Sequence, residues 1–125
     1  MKLTSKDFEY FKDRCHFWIE RFGMIDWQVH YEMGDIEDNR GRCLAHYKGR
    51  VATIALTDNL DCRRKELHEN LDRTAFHEVM ELFLSPLECC ARSRIWDDDI
   101  YDRENHAIIR TLENIFIGYI ERKKK

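Results

Sequence analysis

The hydrophobic period of this chain changes twice, and that fixes the order of elements it can build. Phe8, Phe11, Cys15, Trp18, Ile19 and Phe22 recur at helical spacing. Thr4-Ser5 ahead of them predicts an N-cap, and Gly23 behind them a helix C-terminus. From residue 26 the period drops to two. Asp26-Trp27-Gln28-Val29-His30-Tyr31-Glu32-Met33 alternates large apolar with polar residues, the pattern of a half-buried strand. A polar connection over residues 34–41 leads to two more predicted strands, at about 42–47 and 50–57, separated by the turn signal Lys48-Gly49. The run Val51-Ala52-Thr53-Ile54-Ala55-Leu56 in the last of these is weakly polar and reads as the more buried strand. Helical spacing then returns. One helix is predicted to start at Asn70 or Asp72 and to end near Leu84, with Pro86 following. Another is predicted over about 102–121, with the stripe Ile108, Ile109, Leu112, Ile115, Phe116 and Tyr119. Residues 58–69 read as a loop with at most a helical turn, and Trp96-Asp97-Asp98-Asp99 as an exposed loop. The order helix, three strands, helix, helix predicts an α+β layer architecture.

Nothing divides the chain. It has 125 residues with one proline and five glycines, which predicts a single domain over 1–125. A formal net charge of −3 gives no general attraction to nucleic acid or to membranes, so neither is expected as a partner. The one basic block, Arg122-Lys123-Lys124-Lys125, suits a solvated helix end. No stretch is long and apolar enough to span a bilayer, and Met1-Lys2-Leu3-Thr4-Ser5-Lys6-Asp7 runs straight into charge, so the expected compartment is the cytoplasm. Cys15, Cys43, Cys62, Cys89 and Cys90 are odd in number and form no C-x-x-C pair, which argues for buried free thiols over a zinc knuckle or a disulfide framework. No heptad pattern decides the oligomeric state.

The chemistry concentrates in His77-Glu78-Val79-Met80-Glu81. His77 and Glu81, four residues apart, stack on one face of a helix, and both can ligate a divalent metal. Glu78 points about 100° away. This is the relation found in H-E-x-x-H, whose glutamate handles the proton of the activated water, with glutamate here in place of the second histidine. On a helical wheel Ala75, Phe76, Val79, Leu82 and Phe83 form the core stripe. His77, Glu81 and Leu84 fall opposite, with Met80 close by, as a small polar notch on a helix that is apolar on nearly all sides. A charge buried there needs a partner, whether a metal, an arginine or another histidine. A third ligand must come from elsewhere. On the last helix Glu104 and His106 lie about 160° apart, so both cannot face the notch. His106 shares a face with Arg110 and Glu113 and is favoured, with Glu104 in reserve. The set His77, Glu81, His106 is a His₂Glu composition that suits zinc or another divalent metal.

Phe76-His77-Glu78-Val79-Met80-Glu81-Leu82-Phe83-Leu84 and the later His106-Ala107-Ile108-Ile109-Arg110-Thr111-Leu112-Glu113-Asn114 resemble segments of small bacteriophage and prophage proteins regarded as metallopeptidases. The earlier layout, Trp27-Gln28-Val29 and then a hairpin ending in Ile54-Ala55-Leu56-Thr57, is similar to that of SprT-like and other minimal zincins, in which a short sheet precedes the metal-binding helix. The resemblance spans roughly residues 25–117 in outline and is specific in the two helical motifs. It implies a minimal zincin-like fold, His77 as ligand, Glu78 as catalytic base, and metal roles for Glu81 and His106. SprT-like enzymes carry histidine at the position of Glu81, and a carboxylate ligand lessens the acidifying effect of a metal on water.

Other candidates have plainer readings. Arg110 and Glu113 read as a structural network beside Glu81. Among His16, His30, His46 and His68, only His46 sits on a strand where it deserves watching. The 51–56 segment reads as a buried strand, or alternatively as an edge that positions a substrate backbone. Trp18, Trp27 and Trp96 read as packing. The function this predicts is a zinc-dependent peptidase-like phage protein, acting on a protein or peptide in the cytoplasm of a bacterial host. The alternative is a catalytically inactive zincin-fold protein that binds a host or phage protein.

Overall fold

The computed structural model describes residues 1–92 and 97–124, with side chains described as far as Ile117. The expectations for Trp96, for Tyr119 and for the side chains of the basic tail lie outside the described residues. The elements run α1 (Ser5–Arg21), β1 (Gln28–Gly34), β2 (Gly41–His46), β3 (Val51–Thr57), a single 3-10 turn (Arg64–Glu66), α2 (Leu67–Arg92) and α3 (Asp98–Lys124). The protein is α+β, as its hydrophobic periods predict.

Local chemistry sets the limits of α1. The Thr4 hydroxyl accepts from the Asp7 N–H (3.2 Å), and the Asp7 carboxylate accepts from the Thr4 N–H (2.9 Å), a reciprocal capping box. Gly23 follows the helix at φ 71°, and the Met24 N–H closes back onto the Ile19 carbonyl at 3.0 Å.

The sheet has the order β1-β3-β2. β3 is central, parallel to β1 and antiparallel to β2. The 51–56 segment is therefore an interior strand, and β2 is an edge. Three rows cross the sheet on one face: Val29–Ala52–Ala45, Tyr31–Ile54–Cys43 and Met33–Leu56–Gly41. These side chains join Phe11, Cys15, Leu71, Ala75, Val79 and Leu82 of α1 and α2 in one core. The opposite face carries Gln28, His30, Glu32, Arg42, Leu44 and His46, all exposed. On that face Glu32 and Arg42 flank Ala55 in one row, with their charged groups 4.0 Å apart, and Ala55 beneath them is only 2% exposed. His46, on this outer face, is turned away from the helices.

α2 departs from expectation at both ends. It begins at Leu67, directly after the 3-10 turn, and Asn70 is not its cap. Asn70 instead donates to the Glu66 carbonyl at 2.9 Å. At the other end the helix continues through Pro86 to Arg92. Proline has no N–H for the carbonyl four residues earlier, which is that of Leu82. The Ser85 hydroxyl supplies the missing donor, at 2.7 Å from the Leu82 oxygen. Replacing Ser85 by alanine is expected to cost about 1 kcal/mol, measured by urea unfolding, because that half-buried carbonyl loses its partner. An unchanged midpoint would show that water serves the carbonyl equally well.

α3 begins earlier than predicted, and the acidic run explains it. Asp97 Oδ1 accepts from the N–H groups of Asp99 (3.0 Å) and Ile100 (3.3 Å), while Asp98 and Asp99 occupy the first turn. Negative charge at a helix N-terminus is favourable, so the run that reads as a loop is a helix start. Only part of the predicted α3 stripe is covered: Ile108 and Ile115 are half-buried, whereas Ile109, Leu112 and Phe116 are exposed.

Candidate metal centre

The residues buried along α2 are Leu67, Leu71, Thr74, Ala75, Glu78, Val79, Leu82 and Pro86. Their spacing is that of a core-facing helix stripe, and one member is a carboxylate. This inverts the polar notch expected from the helical wheel. The His77 and Glu81 side chains are 70% and 50% exposed, whereas Glu78 is 4% exposed.

Glu78 is buried because β2 comes very close to α2. Gly41 is the β2 residue that faces the helix at that level. A Cβ built on Gly41 would lie 2.9 Å from Thr74 Cγ2, 3.0 Å from Glu78 Cγ and 3.2 Å from Glu78 Oε1. Only a glycine lets the strand cover this carboxylate. Sequence reasoning treated Gly41 as the end of a polar connection and missed this role. The available signal was a glycine opening a strand, which often marks a close backbone approach.

The covered carboxylate is electrostatically strained. Burial, then the charge of Glu81, then hydrogen bonding with Glu81 push Glu78 up to about 8 from an ordinary value of 4.5. Its Oε2 is buried and has no hydrogen-bond partner among the described residues. The same carboxylate raises the neighbouring thiols. Cys15 is driven far up, by burial first and Glu78 second, and Cys43 is pushed up to about 12 by the same two causes in the same order.

Ligand atoms of His77, Glu78 and Glu81 all lie within 4.8 Å of one another. His77 Nε2 is 3.4 Å from Glu81 Oε1. One imidazole and two carboxylates fit a divalent cation, which balances two negative charges. Of the expected set, His77 and Glu81 are brought together, and Glu78 joins them. His106 is not among them, because it lies on an exposed face of α3 with its Nδ1 2.8 Å from the Asp102 carbonyl oxygen. Glu104 is held elsewhere, accepting from the Tyr47 hydroxyl at 2.8 Å. Arg110 and Glu113 are exposed and make no contact with Glu81 among the described residues.

Two cavities adjoin the cluster along the β2–α2 seam. One, of about 320 Å³, is lined by Asn39, Arg40, Gly41, Arg73 and Thr74 together with His77 and Glu78. The other, of about 490 Å³, runs past Glu81 between Cys43, Ala45 and Tyr47 on one side and Ser85, Glu88 and Cys89 on the other. Among the described residues, no helix is long and apolar enough to cross a membrane. No family model matches the chain, and no curated protein or solved structure is similar to it.

Proposed function

We propose that this protein is a minimal zincin-like hydrolase that holds a divalent metal, zinc by its donor set, and cleaves a peptide bond at the head of the β2–α2 groove. The observation that carries this reading is the buried Glu78 carboxylate, whose Oε2 has no hydrogen-bond partner among the described residues, converging with His77 and Glu81. His77 and Glu81, both exposed, would hold the ion. The ion supplies Lewis acidity to a carbonyl and to an attacking water. Glu78 takes the proton from that water and returns it to the leaving amine. Burial raises the proton affinity of this carboxylate in the metal-free protein, and the charge of a bound ion would lower it again, leaving a carboxylate able to accept the proton at pH 7 and pass it on. The edge of β2 offers backbone N–H and C=O groups along the groove, where an extended substrate can add as a further strand.

The test is metal content by elemental mass spectrometry on untagged protein purified without chelators, combined with a peptide-cleavage screen. About one ion per chain is expected, lost in His77→Ala and kept in His106→Ala. Glu78→Gln is expected to reduce turnover at least 100-fold while folding normally. Retained turnover in Glu78→Gln would rule out the assigned base. A protein that holds its ion but cleaves nothing would be the catalytically silent binding protein.

A further inference from the structure

We infer that Arg40 makes the smaller cavity a receiver for a carboxylate, so that the site takes peptides bearing a negative charge beside the bond to be cleaved. This rests on the metal reading above and extends it to the class of substrate.

Arg40 is fixed at both ends. Its backbone carbonyl accepts from the Thr57 N–H of β3 at 2.9 Å. Its Nη1 donates to Asn70 Oδ1 at 2.6 Å, and Asn70 is itself held by the Glu66 carbonyl at 2.9 Å. The group that positions the guanidinium is therefore a neutral amide. Other arginines face a carboxylate, as Arg42 faces Glu32 and Arg73 faces Glu69. Arg40 makes no ion pair among the described residues, so its charge is not cancelled locally. It lines the same cavity as His77 and Glu78. A guanidinium held in place by a single acceptor keeps its remaining N–H groups for a forked bond to a carboxylate.

The charge balance links this subsite to the ion. Without a cation, the uncompensated carboxylate of Glu81 opposes an incoming anion. With a divalent ion the His77–Glu78–Glu81 group is neutral, and Arg40 leaves the cavity positive, since Arg73 in the same lining is already paired with Glu69. Ion and carboxylate should therefore strengthen each other's binding. The carboxylate has two possible sources, the C-terminus of a peptide or an acidic side chain.

The experiment is calorimetric titration at pH 7 of zinc-loaded and metal-free protein with three acetylated tripeptides. One is trialanine with a free C-terminus, one is its C-terminal amide, and one is the amide with aspartate in the last position. Zinc-loaded protein is expected to bind at least one charged peptide about tenfold more tightly than the uncharged amide. Which charged peptide gains identifies the source. Arg40→Gln is expected to abolish the difference while leaving zinc affinity unchanged. Equal affinity for all three peptides would overturn the proposal. So would a preference that survives Arg40→Gln, which would mean that the carboxylate contacts the ion alone. If the protein holds no zinc, the metal-free titration decides. A charge preference lost in Arg40→Gln would keep the subsite while the metal reading falls, and no preference would remove both.

Discussion

Metal-free protein is expected to lose stability as the pH rises from about 5 to about 8, by on the order of 3 kcal/mol, and Glu78→Gln is expected to remove that loss. The folded state holds a proton on Glu78 up to about pH 8, whereas the unfolded chain releases it near the ordinary value of 4.5. A group whose proton affinity is raised on folding contributes its stability in full below the unfolded value. That contribution declines through the interval and is gone above the folded value. Other displaced groups lie outside the window. Asp7 is held low, by the backbone N–H of Thr4 first, and so acts at the acid end. Cys15, Cys43, Tyr10, Tyr31 and Tyr47 are all raised, by burial first, from values that are already alkaline. Thermal unfolding with a chelator present, between pH 5 and pH 9, should show a decline of roughly 10 °C in the parent and a nearly flat profile in Glu78→Gln. The same proton should appear on metal binding. Calorimetry at pH 7 in buffers of different ionisation heat should report about one proton released per ion bound. Parallel pH profiles for parent and variant would show that Glu78 is ionised in the folded protein throughout, and that its burial is incomplete in solution.

Gly41→Ala is expected to be the most damaging single methyl group that can be added near the site. The new Cβ meets Thr74 Cγ2 at 2.9 Å and Glu78 Cγ at 3.0 Å. Thr74 cannot easily turn aside, because its hydroxyl is bonded to the Asn70 carbonyl at 2.8 Å and a β-branched side chain has few rotamers on a helix. Either β2 moves away from α2 or Glu78 leaves its place. A stability loss of about 1–3 kcal/mol is expected, together with at least tenfold weaker metal binding. Adding Thr74→Ser, which removes the clashing Cγ2 and keeps the hydroxyl, should restore part of the stability. Metal affinity should recover less, since the Glu78 contact persists. A Gly41→Ala protein that matched the parent in both measurements would show that the seam has slack, and that Gly41 does not hold the carboxylate in place.

The features that were legible in the sequence were local. The strands fall within about two residues of their predicted limits because alternation over Gln28–Gly34, and the short turn before Val51–Thr57, report a half-buried sheet directly. Thr4 and Gly23 mark the ends of α1 because capping is chemistry between near neighbours. The misreadings each involve something distant or compensating. Pro86 signals a helix end unless Ser85 supplies a replacement donor, and only the three-dimensional bond shows that it does. Asn70 has the right chemistry for an N-cap, but Arg40, thirty residues earlier, engages its side chain. The largest miss is Glu78. On a wheel it belongs to the Leu71–Ala75–Leu82 face, yet its charge argues for solvent, and its burial depends on a glycine in a strand far away in sequence. The motif could therefore be found by spacing, whereas the unusual proton affinity at its centre could not. Likewise His106 shares a helix face with Arg110 in the sequence, but no periodicity says which side of α3 meets α2.

The one-sided sheet has a practical consequence. The core-lining residues of α1 and α2 pack against a single face of the sheet, and the proposed chemistry lies along the β2–α2 seam. Gln28, His30 and His46 project from the far side. A fluorophore, a biotin or a spin label carried on any of these three positions would sit behind the central strand from the groove, and would leave the ion, the carboxylate subsite and their approach unobstructed. Surface immobilisation through that side would present the groove outward in a single orientation, which makes the backing sheet the natural handle for measuring what the front binds.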